Sequence, residues 1–193
     1  NALALRRRLG IYGGTFDPVH HAHLILARFA LEKFALEKII FVPARVSPYK
    51  NDSVATPETR LQMLRSAIEE EPQFEVDDCE LQRDPPSYTI DTVQTLKEKH
   101  PGAHLFFLIG DDNLAGLPNW RSFDDLRHMV TFIVLQRAIT PVAHEYQSVD
   151  RRIDISATEI RQRIASGRTI HFLVPRAVEQ IISTRGLYRE VAK

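Results

Sequence analysis

The sequence predicts an α/β protein. It should form one Rossmann-like, doubly wound parallel sheet, with a small C-terminal helical extension, as a single domain over residues 1–193. Three observations lead there. Apolar runs of strand length alternate with amphipathic runs of helix length, the order that makes βαβ units. Two of the apolar runs, Leu9 to Gly13 and Leu105 to Ile109, stop at or beside glycine, as strands do when they turn into a ligand-binding loop. Beyond about residue 150 the pattern changes to two capped helical segments.

Each element follows from its own signals. Leu9 to Gly13 reads as a buried strand. His21 to Phe34 reads as a helix with Leu24, Ala27, Leu31 and Phe34 on one face. Lys38 to Val42 is a second strand halted by Pro43, and Arg45 to Ala55 a polar loop. Thr56 offers a cap and Pro57 a first-turn proline for a helix with Leu61, Leu64 and Ile68 as its apolar stripe. Phe74 to Asp77 is a short strand and Thr89 to Lys99 a helix. After Leu105 to Ile109 come a short helix around Ser122 to His128 and the strand Val130 to Leu135. The Ala138 to Val149 stretch reads as a loop and Ile153 to Ile155 as a brief strand. Ser156 and Glu159 then spell a capping box before a helix that stops at Gly167. Pro175 opens and Gly186 closes the last helix.

Composition narrows the function classes. Twenty-five Lys and Arg balance twenty-five Asp and Glu. The whole-molecule field therefore gives no reason to expect nucleic acid or an anionic membrane as partner. Anion binding has to come from a local site. The single cysteine, Cys79, rules out an internal disulfide and suits a cytoplasmic protein. The first residues, Asn-Ala-Leu-Ala-Leu-Arg-Arg-Arg, have too short an apolar part for a signal peptide, with charges on the wrong side.

The densest chemistry is Gly13-Gly-Thr-Phe-Asp-Pro-Val-His-His-Ala-His23. A structural metal needs about four ligands, and neither Cys79 nor any second close-spaced cluster supplies the rest, so no protein metal site is expected. A plain turn before a helix accounts for the glycines and Pro18. A phosphate site accounts for more. Glycines after a strand let consecutive N–H groups face an anion, and the helix start adds its own N–H groups and dipole. His20 and His23, three apart, share one face and can donate to phosphate oxygens, more strongly when protonated. The stretch is neither a Walker A sequence nor a Gly-x-Gly-x-x-Gly fingerprint.

Gly14-Thr-Phe-Asp-Pro-Val-His20-His-Ala-His23 resembles the signature of the nucleotidyltransferase superfamily, and Ile155-Ser156-Ala-Thr158-Glu-Ile-Arg161 resembles its second signature, Ile-Ser-x-Thr-x-x-Arg. Pro86-Ser87-Tyr88-Thr89, Ile109-Gly110-Asp111-Asp112, Leu117-Pro118-Asn119-Trp120, Phe172-Leu173-Val174-Pro175 and Gly186-Leu187-Tyr188-Arg189 resemble the nicotinate-nucleotide adenylyltransferase family within it. The resemblance spans nearly the whole chain. It implies that ATP, carried with Mg²⁺, reacts with nicotinate mononucleotide to give deamido-NAD and pyrophosphate.

The same resemblance assigns residues. His20, His23 and Arg161 would be catalytic. Gly13, Gly14, Thr15, Phe16, Gly110, Asp112, Ile155, Ser156 and Thr158 would join them in holding ATP. Lys50, Tyr88, Thr89 and Trp120 would hold nicotinate mononucleotide, Trp120 by stacking on the pyridine ring and Thr89 by meeting the carboxylate at a helix start. Blander readings stand beside several of these: Ser156 as a helix cap, Asp112 as a turn cap, Trp120 as core. The sequence also departs from the family pattern. Ala22 replaces a glycine between the histidines, where its methyl could crowd the nucleotide. Tyr49 replaces a histidine, Gln136-Arg137-Ala138 lacks the Pro and Gly of an Arg-Pro-Gly segment, and the 138–149 loop is short. Two alternatives remain: a nucleotidyltransferase for another phosphate-bearing acceptor such as phosphopantetheine, or a nucleotide-binding regulatory module without turnover. A homo-oligomer is compatible with all of them.

Overall fold

A computed structural model describes residues 6–45 and 55–189. Six parallel strands make one sheet: β1 (Arg8–Gly14), β2 (Lys38–Pro43), β3 (Phe74–Val76), β4 (His104–Gly110), β5 (Val130–Leu135) and β6 (Gln147–Val149). Their spatial order is β3-β2-β1-β4-β5-β6, all parallel, which is the doubly wound arrangement expected. The order reverses between β1 and β4, so their C-terminal ends flank the crevice where such sheets bind ligands.

The central strands read as continuous apolar runs because both faces of the sheet are covered. Tyr12, Ile39, Phe41, Phe106, Leu108 and Ile133 point to one face. There they pack with α1 (His21–Lys33), α2 (Pro57–Ile68), α5 (Ala157–Ala165) and α6 (Arg176–Arg185). Leu9, Ile11, Ile40, Val42, Phe107, Ile109 and Val134 point the other way, to α3 (Thr89–Lys99) and α4 (Phe123–Met129). The C-terminal helix belongs to the first of these layers. Val178 and Ile182 are in its core, and Arg185 donates to Thr59 Oγ1 on α2 at 2.9 Å.

Most cap signals work as read. Thr56 Oγ1 accepts the Thr59 N–H at 3.2 Å, Gly186 takes a φ of 61° after α6, and Gly167 takes 69° after α5. Three expectations need correction. The last strand is Gln147–Val149, not Ile153 to Ile155. Val149 pairs with Leu135 and its carbonyl accepts the Gln136 N–H, whereas Ile153 and Ile155 pack on the core from irregular chain, their alternation imitating a strand without a ladder. The inward stripe of α2 is also rotated: Arg60, Met63, Leu64 and Ile68 are buried while Leu61 is half-exposed. Finally, only half of the Ser156 capping box forms. Ser156 Oγ accepts the Glu159 N–H at 3.1 Å, but the Glu159 carboxylate turns to Arg163, 4.0 Å away.

Candidate active site

β1 does not turn at its glycines. Gly13 and Gly14 are still in the strand, and the left-handed residue is Phe16, at φ 51°. The Phe16 ring folds back over Gly14, where an added Cβ would lie 3.1 Å from ring carbon Cζ. A side chain at 14 would thus displace Phe16, so the glycine serves a close approach rather than a bend. Phe16 in turn meets the His23 ring edge-on, with centroids 4.9 Å apart.

His20 is the N-cap of α1 and only 2 % exposed; His23 sits three residues on. Their rings stack with centroids 3.7 Å apart. The His20 backbone N–H donates to His23 Nδ1 at 3.2 Å. That bond makes Nδ1 an acceptor, so a neutral His23 carries its proton on Nε2. The ring can then donate from that nitrogen without a positive charge. Burial, with the Arg137 and His21 charges next, pushes His20 down to about 3, and burial followed by His20 and Arg137 holds His23 well below its ordinary value. The expectation that charge strengthens these donors is therefore corrected: at neutral pH both imidazoles are neutral in the free protein.

A cavity of about 580 Å³ opens at the C-terminal edge of β1 and β4. Most sequence-assigned residues line it. Gly13, Gly14, Thr15, Phe16, His20 and His23 come from the first turn. Gly110 and Asp112 come from the end of β4, and Thr89 and Trp120 from the far wall. Ser156, Thr158 and Arg161 come from the start of α5. Arg161 Nη1 donates to the Asp17 carbonyl at 2.8 Å, and its Nη2 to Thr158 Oγ1 at 3.4 Å. Two stretches 144 residues apart are thereby bonded to each other beside one cavity.

The remaining assignments fall elsewhere. Ile155 is packed on the core and does not line the cavity, because the extended chain before α5 turns its apolar side chain inward. Tyr88 is also off the lining; it is the N-cap residue of α3, with the Arg121 guanidinium 4.6 Å from its ring centroid. Lys50 and Tyr49 lie outside the described residues. Ala22 is buried in the α1 core face and does not touch the cavity, so its methyl has no nucleotide to crowd. Trp120 is half-buried, edge-on to Phe107 at 6.3 Å, with part of its surface on the cavity.

Several contributors carry no motif signal. Arg60 is 0 % exposed and donates to four backbone carbonyls: Thr15 and Ala44 at 2.7 Å, Arg45 at 3.0 Å and Ala55 at 3.4 Å. It thus ties the turn after β1 to the chain after β2. Asp17 is buried nearby, its Oδ1 accepting the Tyr188 hydroxyl at 2.5 Å and the Ala55 N–H at 3.3 Å. Satisfied in this way, buried ionic groups act as anchors. Glu80 lines the cavity with its carboxyl accepting the Thr92 hydroxyl at 2.6 Å, and burial raises its pKa. The Cys79 thiol is pushed up to about 12 by burial and then Asp77, which leaves it unreactive.

Comparison with known proteins decides the family. Residues 11–163 match the cytidylyltransferase-like family. The chain is 42% identical over 190 residues to a probable nicotinate-nucleotide adenylyltransferase of Methylacidiphilum infernorum, covering 94% of this chain and 92% of that protein. It is 40% identical over 185 residues to one of Geobacillus thermodenitrificans, covering 94% and 86%. The chain belongs to the nicotinate-nucleotide adenylyltransferase family. It is accordingly an enzyme of the nucleotidyltransferase class. The fold agrees with a solved Plasmodium falciparum nicotinic acid mononucleotide adenylyltransferase complexed with NaAD, at a TM-score of 0.79, 20% identity, and coverage of 97% of this chain and 100% of that one. No helix among the described residues is long and apolar enough to cross a membrane.

Proposed function

We propose that this chain, acting as one nucleotidyltransferase domain in the cytoplasm, transfers the adenylyl group of ATP to nicotinate mononucleotide. The products are deamido-NAD and pyrophosphate, a step of NAD biosynthesis. The observation that carries the reading is the bond from Arg161 to the Asp17 carbonyl, which keeps both nucleotidyltransferase motifs on a cavity shared with Thr89 and Trp120. Neither alternative is favoured: the relatives are named for this acceptor, and the half-buried Trp120 puts on the cavity lining an aromatic ring that an aliphatic acceptor would leave unused.

The chemistry is a direct displacement. A phosphate oxygen of nicotinate mononucleotide attacks the α-phosphorus of ATP, forming the new P–O bond as the bond to the β-phosphate oxygen breaks, and pyrophosphate leaves. The nucleophile needs no general base, since a phosphate monoester with a second pKa of about 6 is largely dianionic at neutral pH. Positioning and charge stabilisation remain to be supplied. Neutral His20 and His23 would act as directional donors to the triphosphate, and Arg161 and Arg137 would bring permanent charge. Gly110 and Asp112 would face the nucleoside, with Asp112 toward ribose. Thr89, at the start of α3 where no side chain caps the helix, would meet the nicotinate carboxylate while Trp120 stacks on the ring.

Among the described residues no group of three or more His, Cys, Asp or Glu side chains is placed to hold a metal. A cation entering on phosphate oxygens fits that donor set better than a resident ion. Mg²⁺ would neutralise charge on the β- and γ-phosphates as the pyrophosphate departs. Pyrophosphate release from ATP tests the whole reading, with nicotinate mononucleotide, nicotinamide mononucleotide and phosphopantetheine as acceptors. The first should turn over fastest by a wide margin; release with phosphopantetheine alone, or with no acceptor at all, would refute it.

A further inference from the structure

We propose that Asp111 is a positioning residue for the ATP side of the reaction, holding the chain beyond β5 so that Arg137 faces the phosphate end of the cavity. This rests on the adenylyl-transfer reading above. Asp111 Oδ2 accepts two backbone N–H groups, from Arg137 at 2.9 Å and from Ala138 at 2.7 Å. The sheet ladder between β4 and β5 ends at the pair Gly110 and Leu135. The carboxylate therefore continues the pairing past the last strand residues, where the backbone of β4 has already turned into a 3₁₀ turn at Asp111–Asn113.

What this fixes is the guanidinium. Arg137 Nε lies 3.6 Å from the point where a Cβ on Gly110 would sit, with the Asp112 carboxylate crowding the same point. Arg137 lines the cavity, and its charge is felt at His20, at His23 and at the buried Tyr12 hydroxyl. A permanent cation thus stands beside two neutral imidazoles. Arg137 is exposed and follows the last residue of β5 by two positions, so no helix or strand of its own holds it. Anchoring its backbone through Asp111 removes freedom that ATP binding would otherwise have to remove. Asp111 itself does not line the cavity, and with Oδ2 already holding two N–H groups its task is separate from that of Asp112. Ala138 matters because a proline there, as the Arg-Pro-Gly family pattern would place after Arg137, has no N–H to give.

Steady-state pyrophosphate release by the full chain, with ATP and nicotinate mononucleotide varied in turn, tests this. Asp111→Ala should raise the KM for ATP about five- to tenfold, the scale of losing charge-assisted hydrogen bonds. The KM for the mononucleotide and the Tm should stay close to those of the parent. Arg137→Ala should raise the ATP KM at least as much, and the double variant should be no worse than Arg137→Ala alone. Asp111→Ala/Ala138→Pro should recover part of the loss, since no orphaned N–H then remains at 138. An unchanged ATP KM, additive losses, or both KM values rising together as Tm falls would overturn the proposal. If Asp111→Ala does not fold, Asp111→Asn replaces it, with a smaller ATP-side loss expected and an unchanged ATP KM again overturning it. A parent chain without turnover would refute the reaction instead; ATP affinity by equilibrium titration of the same variants would then decide the positioning claim.

Discussion

At the start of α1 His20 is buried and His23 half-buried, and both rings are uncharged. His20 lines the cavity with little of its surface exposed, its ring stacked on His23, and the helix is capped by the His23 ring and by the Leu173 carbonyl, which accepts the His21 N–H at 3.0 Å. At the start of α5 the corresponding groups are exposed or half-exposed, Ser156 caps the helix directly, and Arg161 carries a permanent charge. Both ends offer helix N-termini to one cavity, yet one is the more buried and uncharged and the other the more exposed and cationic. In the proposed reaction, direction would come from the first and charge from the second. A guanidinium–carbonyl bond from Arg161 to Asp17 joins them, and it positions the charge beside the cavity.

The largest break in that division should come from His20→Ala. Removing the donor proposed for the triphosphate should lower kcat by about 10²- to 10³-fold, while circular dichroism shows the fold intact. An unaffected rate would remove the buried end from catalysis. Next comes Arg161→Ala, expected to cost about ten- to a hundredfold in kcat/KM. Because this end faces solvent, rising ionic strength should erode the parent's advantage over Arg161→Ala more than its advantage over His20→Ala. Equal salt sensitivity of the two variants would show that the ends do not differ as described.

The pH dependence of stability separates the two ends as well. An ordinary histidine titrates near 6.5, whereas folded His20 does so only at about 3 and folded His23 also well below normal. Between these values the unfolded chain binds more protons than the folded one, so stability is intact above about pH 7 and falls as pH drops through 6 toward 3. Replacing both rings, as in His20→Gln/His23→Gln, should flatten the slope of Tm against pH in that window; an unchanged slope would mean the rings titrate normally when folded. The smallest effect belongs to Ser156→Ala. Losing the cap should cost about 1 kcal/mol in denaturant unfolding, with the ATP KM rising less than about threefold. A larger kinetic than stability effect would show Ser156 binding phosphate more than it caps α5.

Much of this was legible in the chain because the signals are local. Strands buried on both faces read as apolar runs, Thr56 and Ser156 announce helix starts, and Gly167 and Gly186 announce their ends. The short last strand was not legible. Three residues carry little pattern, and Ile153 and Ile155 alternate convincingly without a partner to pair with. Arg60 was missed for a different reason: a charged residue on a helix reads as solvent-facing, and its four carbonyl acceptors come from loops that meet only after folding. Asp17 and Asp111 stood inside motif stretches with no role of their own, and their partners, Tyr188 and the 137–138 backbone, lie far along the sequence.

The sequence by itself determined the alternating architecture, the two nucleotidyltransferase motifs and the family to which they belong, because periodicity, turn chemistry and short-range spacing are written residue by residue. Tertiary structure decided which nitrogen of His23 carries the proton, that both rings are neutral, that Ala22 lies off the cavity, and that Asp111 and Arg60 accept and donate the bonds that tie the surrounding loops together. Apart from the local His20–His23 bond, those outcomes depend on burial and on hydrogen bonds between segments far apart in the sequence, which exist only once the sheet has brought its C-terminal ends together.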